Sequence, residues 1–219
     1  MIKIDVWMEE ITDKLKKAFK ENLIFIGLQG SYNRGEAAAE SDIDVVVILD
    51  KLNFEDLETY KKVISTMPDN DKICGFISGK EELCKWSKPD LFQFFYDTKS
   101  VFGNLSEIIQ APGVEDIKIA VKTGSETLYH SAVHSFLHSK EPLHDLQNLY
   151  KTVFFILQAK YFIENNVYLP TKNMLKENLK GEDLELLDIC IERKNLVHLN
   201  EKEVNLLYSK IINWSSKNI

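Results

Sequence analysis

With 219 residues, 44% of them apolar and 28% charged, the chain has the composition of a soluble globular protein of one large domain or two modest ones. Its 34 acids against 27 lysines and arginines leave a net charge of −7, which disfavours non-specific binding to a nucleic-acid backbone. No apolar run reaches the roughly 20 residues that span a bilayer, and Met1-Ile2-Lys3-Ile4-Asp5 lacks the layout of a signal peptide, so a cytoplasmic protein without a membrane partner is expected.

Taken in chain order, Trp7, Ile11, Leu15 and Phe19 fall at helical spacing and predict an amphipathic helix from Trp7 to Lys20. Leu23 to Leu28 is an apolar run of strand length, and Val45 to Leu49 is a second. Between them, Gly30-Ser31 opens a segment expected to be a short helix through Ala37 to Ala39. Its first amides favour an anion, and the glycine lets a phosphate approach the backbone. Asp42 and Asp44, two residues apart at the start of the second strand, project from one face about 6 to 7 Å apart along the chain. Two neighbouring carboxylates repel unless a cation joins them, and oxygen-only ligation suits Mg²⁺ together with the phosphates of a nucleotide.

Gly-Ser, ten further residues, then Asp-x-Asp, all framed by two apolar strands, resembles the signature of the polymerase-beta-type nucleotidyltransferases. Within that superfamily the chain is similar to the minimal and aminoglycoside nucleotidyltransferases. The resemblance implies that Gly30 and Ser31 hold a triphosphate, that Asp42 and Asp44 bind Mg²⁺, and that a third carboxylate on a later strand completes the site. It also implies transfer of a nucleoside monophosphate, AMP from ATP foremost, to a hydroxyl, with pyrophosphate leaving. Expected partners are therefore a nucleoside triphosphate and a hydroxyl-bearing acceptor; a homodimer is left open. Arg34 is placed to swing over the triphosphate, or to pair with Glu36 or Glu40. Ser41 either bonds a phosphate or fixes the turn before Asp42.

Farther along, a helix is expected from Phe54 to about Thr66, and Pro68-Asp69-Asn70-Asp71 leads into a strand from Lys72 to Ser78. This strand should present the third carboxylate, yet it holds no acid. Asp97 is the first substitute and Glu82 the second; Asp71, Glu81 and Asp90 are the other acids nearby. Glu81 to Trp86 reads as a short helix. Pro89 to Asp97 reads as helix or strand, because Leu91-Phe92-Gln93-Phe94-Phe95-Tyr96 has helical spacing but strand-like aromatic density. Ser100 to Phe102 is expected as a closing edge. Cys74 and Cys190 lie in apolar runs and are expected as buried thiols; with Cys84 they make an odd number without metal-ligand spacing.

Gln110-Ala111-Pro112-Gly113 marks a boundary, giving an expected nucleotidyltransferase domain at 1–111 and a helical bundle at 114–219, an α+β arrangement with a mixed sheet. The bundle helices are expected at Val114 to Lys140, Leu143 to Asn165, Thr171 to Asn178, Asp183 to Leu199 and Glu201 to Asn218, with stops at Pro142, Asn165-Asn166 and Gly181. His130, His134 and His138 stack on one helix side, a spacing able to bind a transition metal but also that of residues lining a cleft or a core boundary. Arg193 and His198 resemble the Arg-x(4–6)-His motif of HEPN-type ribonucleases, which offers ribonuclease chemistry as a third reading. A second reading, ahead of it, is a nucleotide-binding regulatory or antitoxin-like protein whose turnover went with the third carboxylate.

Overall fold

The computed structural model describes residues 2–219, and its chain divides into two compact units, Met1–Ala111 and Pro112–Ile219. In the first unit, α1 (Ile4–Phe19) leads through a 3₁₀ turn into β1 (Leu23–Gln29). A single helical turn, α2 (Gly30–Asn33), and a loop then connect to β2 (Ile43–Leu49). The chain continues through α3 (Phe54–Ser65), β3 (Ile73–Gly79), α4 (Lys80–Cys84), α5 (Leu91–Tyr96) and β4 (Lys99–Phe102).

The four strands form a mixed sheet in the order β3-β2-β1-β4. β1 runs antiparallel to both β2 and β4, whereas β2 and β3 are parallel, the connection between them passing through α3. Because side chains alternate along a strand, β2 feeds two cores. Ile43, Val45, Val47 and Leu49 pack with Trp7, Ile11 and Leu15 of α1 and with Tyr60 and Val63 of α3. Val46 and Ile48 pack on the opposite face with Phe25, Leu83, Leu91 and Phe94. This explains why β2 reads as an unbroken apolar run: it is covered on both sides.

The aromatic run at 91–96 is helical, so spacing decides over aromatic density. Leu91, Phe92 and Phe94 are buried, and Phe94 meets Phe76 of β3 edge-on, with ring centroids 5.0 Å apart. Other expectations are corrected. The helix after Gly30 stops at Asn33 rather than reaching Ala37 to Ala39, since Gly35 takes φ +69° and turns the chain away. Cys74 is exposed, not buried, because it lies at the start of β3, an edge strand; Cys190 is buried as expected.

The second unit is helical: α6 (Val114–His138), α7 (Pro142–Asn165), α8 (Lys172–Asn178), α9 (Gly181–Glu192) and α10 (Glu201–Lys217). Pro142 is not only a stop but the first residue of α7, where its missing N–H costs nothing. Likewise Gly181 starts α9. That helix ends at Glu192, seven residues before Leu199, in a 3₁₀ turn at Arg193–Asn195. Tyr150, Tyr208 and Trp214 are buried. Their polar ends are satisfied: the Tyr150 hydroxyl donates to the Leu207 carbonyl at 2.9 Å, and Trp214 Nε1 donates to Asp183 Oδ1 at 2.7 Å.

Candidate active site

The β1–β2 ladder ends at the pair Gln29↔Asp44, so the turn that follows β1 and the carboxylates that open β2 lie at the same edge of the sheet. Gly30 makes that turn at φ +71°, and a Cβ there would stand 1.9 Å from Asp44 Oδ2. No other residue leaves room for this carboxylate. Asp44 is half-buried on the face covered by α5, and Asp42, just ahead of the strand, is exposed.

Asp97 is brought to the same place by a pairing that spans most of the unit. β4 runs antiparallel to β1 with Leu28 opposite Lys99, and continuing that register sets Asp97 beside Gly30. The backbone N–H of Gly30 donates to Asp97 Oδ2 at 3.1 Å, and Arg34 forms an ion pair with the same oxygen. Arg34 Nε also lies 3.4 Å from Glu36 Oε2. Both sides of the Arg34–Asp97 pair are more than nine-tenths buried. Burial pushes the Asp97 carboxyl up to about 6, with neighbouring Asp44 adding to the rise; Arg34 and the Gly30 N–H pull the other way without overcoming it. Asp97 Oδ1 is buried and has no hydrogen-bond partner.

Glu82 is not in this neighbourhood. Its Oε2 folds back to 2.2 Å from where a Cβ of Gly79 would be, and Gly79 pairs with Leu49, at the opposite end of the sheet from Asp44. Five residue steps of strand at about 3.3 Å each put it roughly 17 Å away. The position on β3 directly opposite Asp44 is Cys74. Ser41 holds the turn, its Oγ accepting from the Ala38 N–H at 2.9 Å, and Ser31 is half-buried in α2.

Two further residues complete the site without having been singled out in the sequence. Asn33 Nδ2 donates to the Asp97 carbonyl at 2.8 Å, and Gln29 Nε2 donates to the Phe94 carbonyl at 3.1 Å and to Thr98 Oγ1 at 2.5 Å. Together they tie the end of α5 to the Gly30 turn. Their one sequence signal is nearness to the Gly-Ser pattern, Gln29 directly before Gly30 and Asn33 two residues after Ser31.

The donor set of Asp42 and Asp44, with the orphan Asp97 Oδ1 close to Asp44, is all oxygen and fits a hard divalent cation. Among the described residues, however, no three of His, Cys, Asp or Glu already converge as a metal-holding group. In the helical unit, Arg193 donates from its guanidinium to the Cys190 carbonyl at 2.9 Å, and His198 sits in a loop at φ +56°. The two residues therefore do not share a helix face.

Residues 8–101 match the family model of the nucleotidyltransferase domain. A Methanocaldococcus jannaschii protein named, provisionally, a protein adenylyltransferase is 39% identical over 70 residues, which make up 31% of this chain and 67% of that one. Among solved structures, a spectinomycin adenyltransferase from Enterococcus faecalis, crystallised with ATP and spectinomycin, superposes with a TM-score of 0.59 at 16% identity. It covers 97% of this chain and 99% of its own. At that identity the likeness is one of fold.

Proposed function

Because the chain belongs to the polymerase-beta-type nucleotidyltransferases, we propose that it transfers AMP from ATP to a hydroxyl of a small molecule or a protein, with pyrophosphate as the second product. The observation that carries this reading is the contact of Gly30 with Asp44: a phosphate-accommodating turn and a metal-type carboxylate are built against each other with no space for a side chain.

Asp42 and Asp44 would hold Mg²⁺, which neutralises phosphate charge and polarises the reacting phosphoryl group when bound. The chain's own residues supply the rest. Gly30 and Ser31 orient the triphosphate, and Arg34, whose guanidinium already points into this turn, stabilises charge on the departing pyrophosphate. Asp97 stands one hydrogen bond from Gly30, and a carboxyl near 6 is matched to taking the acceptor's proton at neutral pH. In balance, the acceptor oxygen bonds the α-phosphorus, the bond from that phosphorus to the β-bridging oxygen breaks, and the proton moves to Asp97.

One observation favours a second reading, that of a nucleotide-binding regulator without turnover. Asp97 Oδ2 is committed to Arg34 and to the Gly30 N–H, which leaves a single oxygen for chemistry. Transfer of label from α-³²P-ATP, measured with Mg²⁺ over a panel of aminoglycosides and protein hydroxyls, separates the two. Acceptor-dependent label transfer supports the enzyme. Mg²⁺-dependent ATP binding with no transfer on any acceptor supports the regulator. Undiminished nucleotide binding by a folded Asp42→Asn, Asp44→Asn variant overturns both.

A further inference from the structure

The helical unit contains an open cavity of about 540 Å³, lined by none of the residues assigned to the nucleotide. His130, His134 and His138 of α6 line it, together with Asp145 and Asn148 of α7. All three imidazoles are exposed, so they are not core histidines held by neighbours. Residues four apart stack along a helix, but the two gaps in this stack differ: the His130 and His134 ring centroids are 6.3 Å apart, those of His134 and His138 5.0 Å.

That difference selects a pair. An imidazole nitrogen binds an ion of the zinc type at about 2.0–2.1 Å, which puts the ring centre about 3.2 Å from the metal; two imidazoles on one tetrahedral ion then have centres about 5.2 Å apart. His134 and His138 are at that spacing. His130 and His134 could share an ion only by opening the angle at the metal to about 160°, which tetrahedral ligation does not allow.

The cavity also has a fixed negative charge. Hydrogen bonds from Ser139 and Ser135 hold the Asp145 carboxyl below the usual carboxylate range, against the opposing effect of burial. Ser135 Oγ donates to Asp145 Oδ2 at 2.8 Å and is itself 2.7 Å from the Tyr208 hydroxyl, so this carboxylate is anchored to α10 as well as to α6. Nδ1 of exposed His144 lies 3.9 Å from the other oxygen.

We infer that this cavity is a transition-metal site in which His134 and His138 are the two protein ligands and Asp145 is the acid that balances the charge and accepts from a metal-bound water. No third His, Cys, Asp or Glu converges there among the described residues, so water completes the coordination. Imidazole ligation at a tetrahedral spacing suits Zn²⁺; Mg²⁺ takes oxygen ligands, and Ni²⁺ and Cu²⁺ favour square or tetragonal geometry.

The test is calorimetric titration of the full chain with ZnCl₂ in excess Mg²⁺, so that the Asp42 and Asp44 pair does not contribute to the signal. Exposed helical histidines tolerate alanine, which forms helix better, so the variants fold. Expected are a single binding event and losses of at least about tenfold in His134→Ala and in His138→Ala. Asp145→Asn should weaken binding by up to about tenfold, and His130→Ala should change it by less than about twofold. Undiminished binding in the His134→Ala, His138→Ala double variant overturns the site. A loss in His130→Ala as large as in His138→Ala overturns the pairing.

Discussion

A methyl group on Gly30 would meet Asp44 Oδ2 at 1.9 Å on a backbone at φ +71°, and neither problem can relax without the other. Shifting the turn pulls Gly30 N–H from Asp97, and moving Asp44 displaces a carboxylate of the β1–β2 edge. Gly30→Ala should therefore cost about 1–3 kcal/mol in urea unfolding and abolish Mg²⁺-dependent ATP binding even where the variant folds. Asp97 yields a prediction with a definite sign. Its carboxyl titrates near 3.8 when unfolded and at about 6 when folded, so the native state binds this proton more tightly. The stabilisation is fully present below pH 3.8 and is lost as pH rises through 6. Two pKa units correspond to about 3 kcal/mol. In metal-free protein, the stability of the wild type relative to Asp97→Asn should fall by that order between pH 4 and pH 7. A flat difference would mean that Arg34 holds the carboxylate ionised throughout.

Among the elements, α10 has the clearest start. The Asn200 Oδ1 accepts from the Glu203 N–H at 3.1 Å, and the Glu203 carboxylate accepts from the Asn200 N–H at 2.8 Å. Asn200→Ala removes half of this box and should cost about 1 kcal/mol in thermal or urea unfolding. Such a cap is local, and so is the Gly-Ser and Asp-x-Asp pattern, which is why that pattern and a helix beginning at Glu201 could be read in the sequence. The apolar run of β2 was legible for the same reason, and its burial on two faces emerges from the packing. What could not be read arises from pairing at long range. Asp97 could be named as an acid near an aromatic run, but its union with Arg34 and Gly30 depends on β4 joining β1, a match between segments about 67 residues apart. Glu82 has as good a sequence claim, yet the parallel register of β3 carries it to the far end of the sheet. Two helix ends differ from expectation: α9 closes at Glu192 on a 3₁₀ turn, and α2 closes at Asn33 because Gly35, at φ +69°, turns the chain out of the helix.

At the scale of the whole chain, the contacts separate at Ala111–Pro112, and the segment there has the properties a protease requires. Gln110, Ala111, Gly113 and Val114 are exposed, no helix or strand is present between Ile109 and Val114, and the first firm backbone anchor beyond is the Gly113 N–H donating to Asp116 Oδ2 at 2.9 Å. Cleavage needs a stretch of locally unfolded chain, which costs least where few backbone hydrogen bonds must break. By contrast, Leu23 to Leu49 includes two strands with almost every side chain buried, so opening it would unfold the unit. Ser106 to Asp116 contains no lysine or arginine, so trypsin cannot report on it and a protease of broad specificity is required. Brief digestion with subtilisin, followed by intact-mass spectrometry, should give first cuts between about Ser106 and Asp116, yielding two fragments near half the chain each. First cuts between Leu23 and Leu49 would mean that the sheet opens before the boundary does, and the division into a nucleotidyltransferase domain and a helical domain would then be wrong.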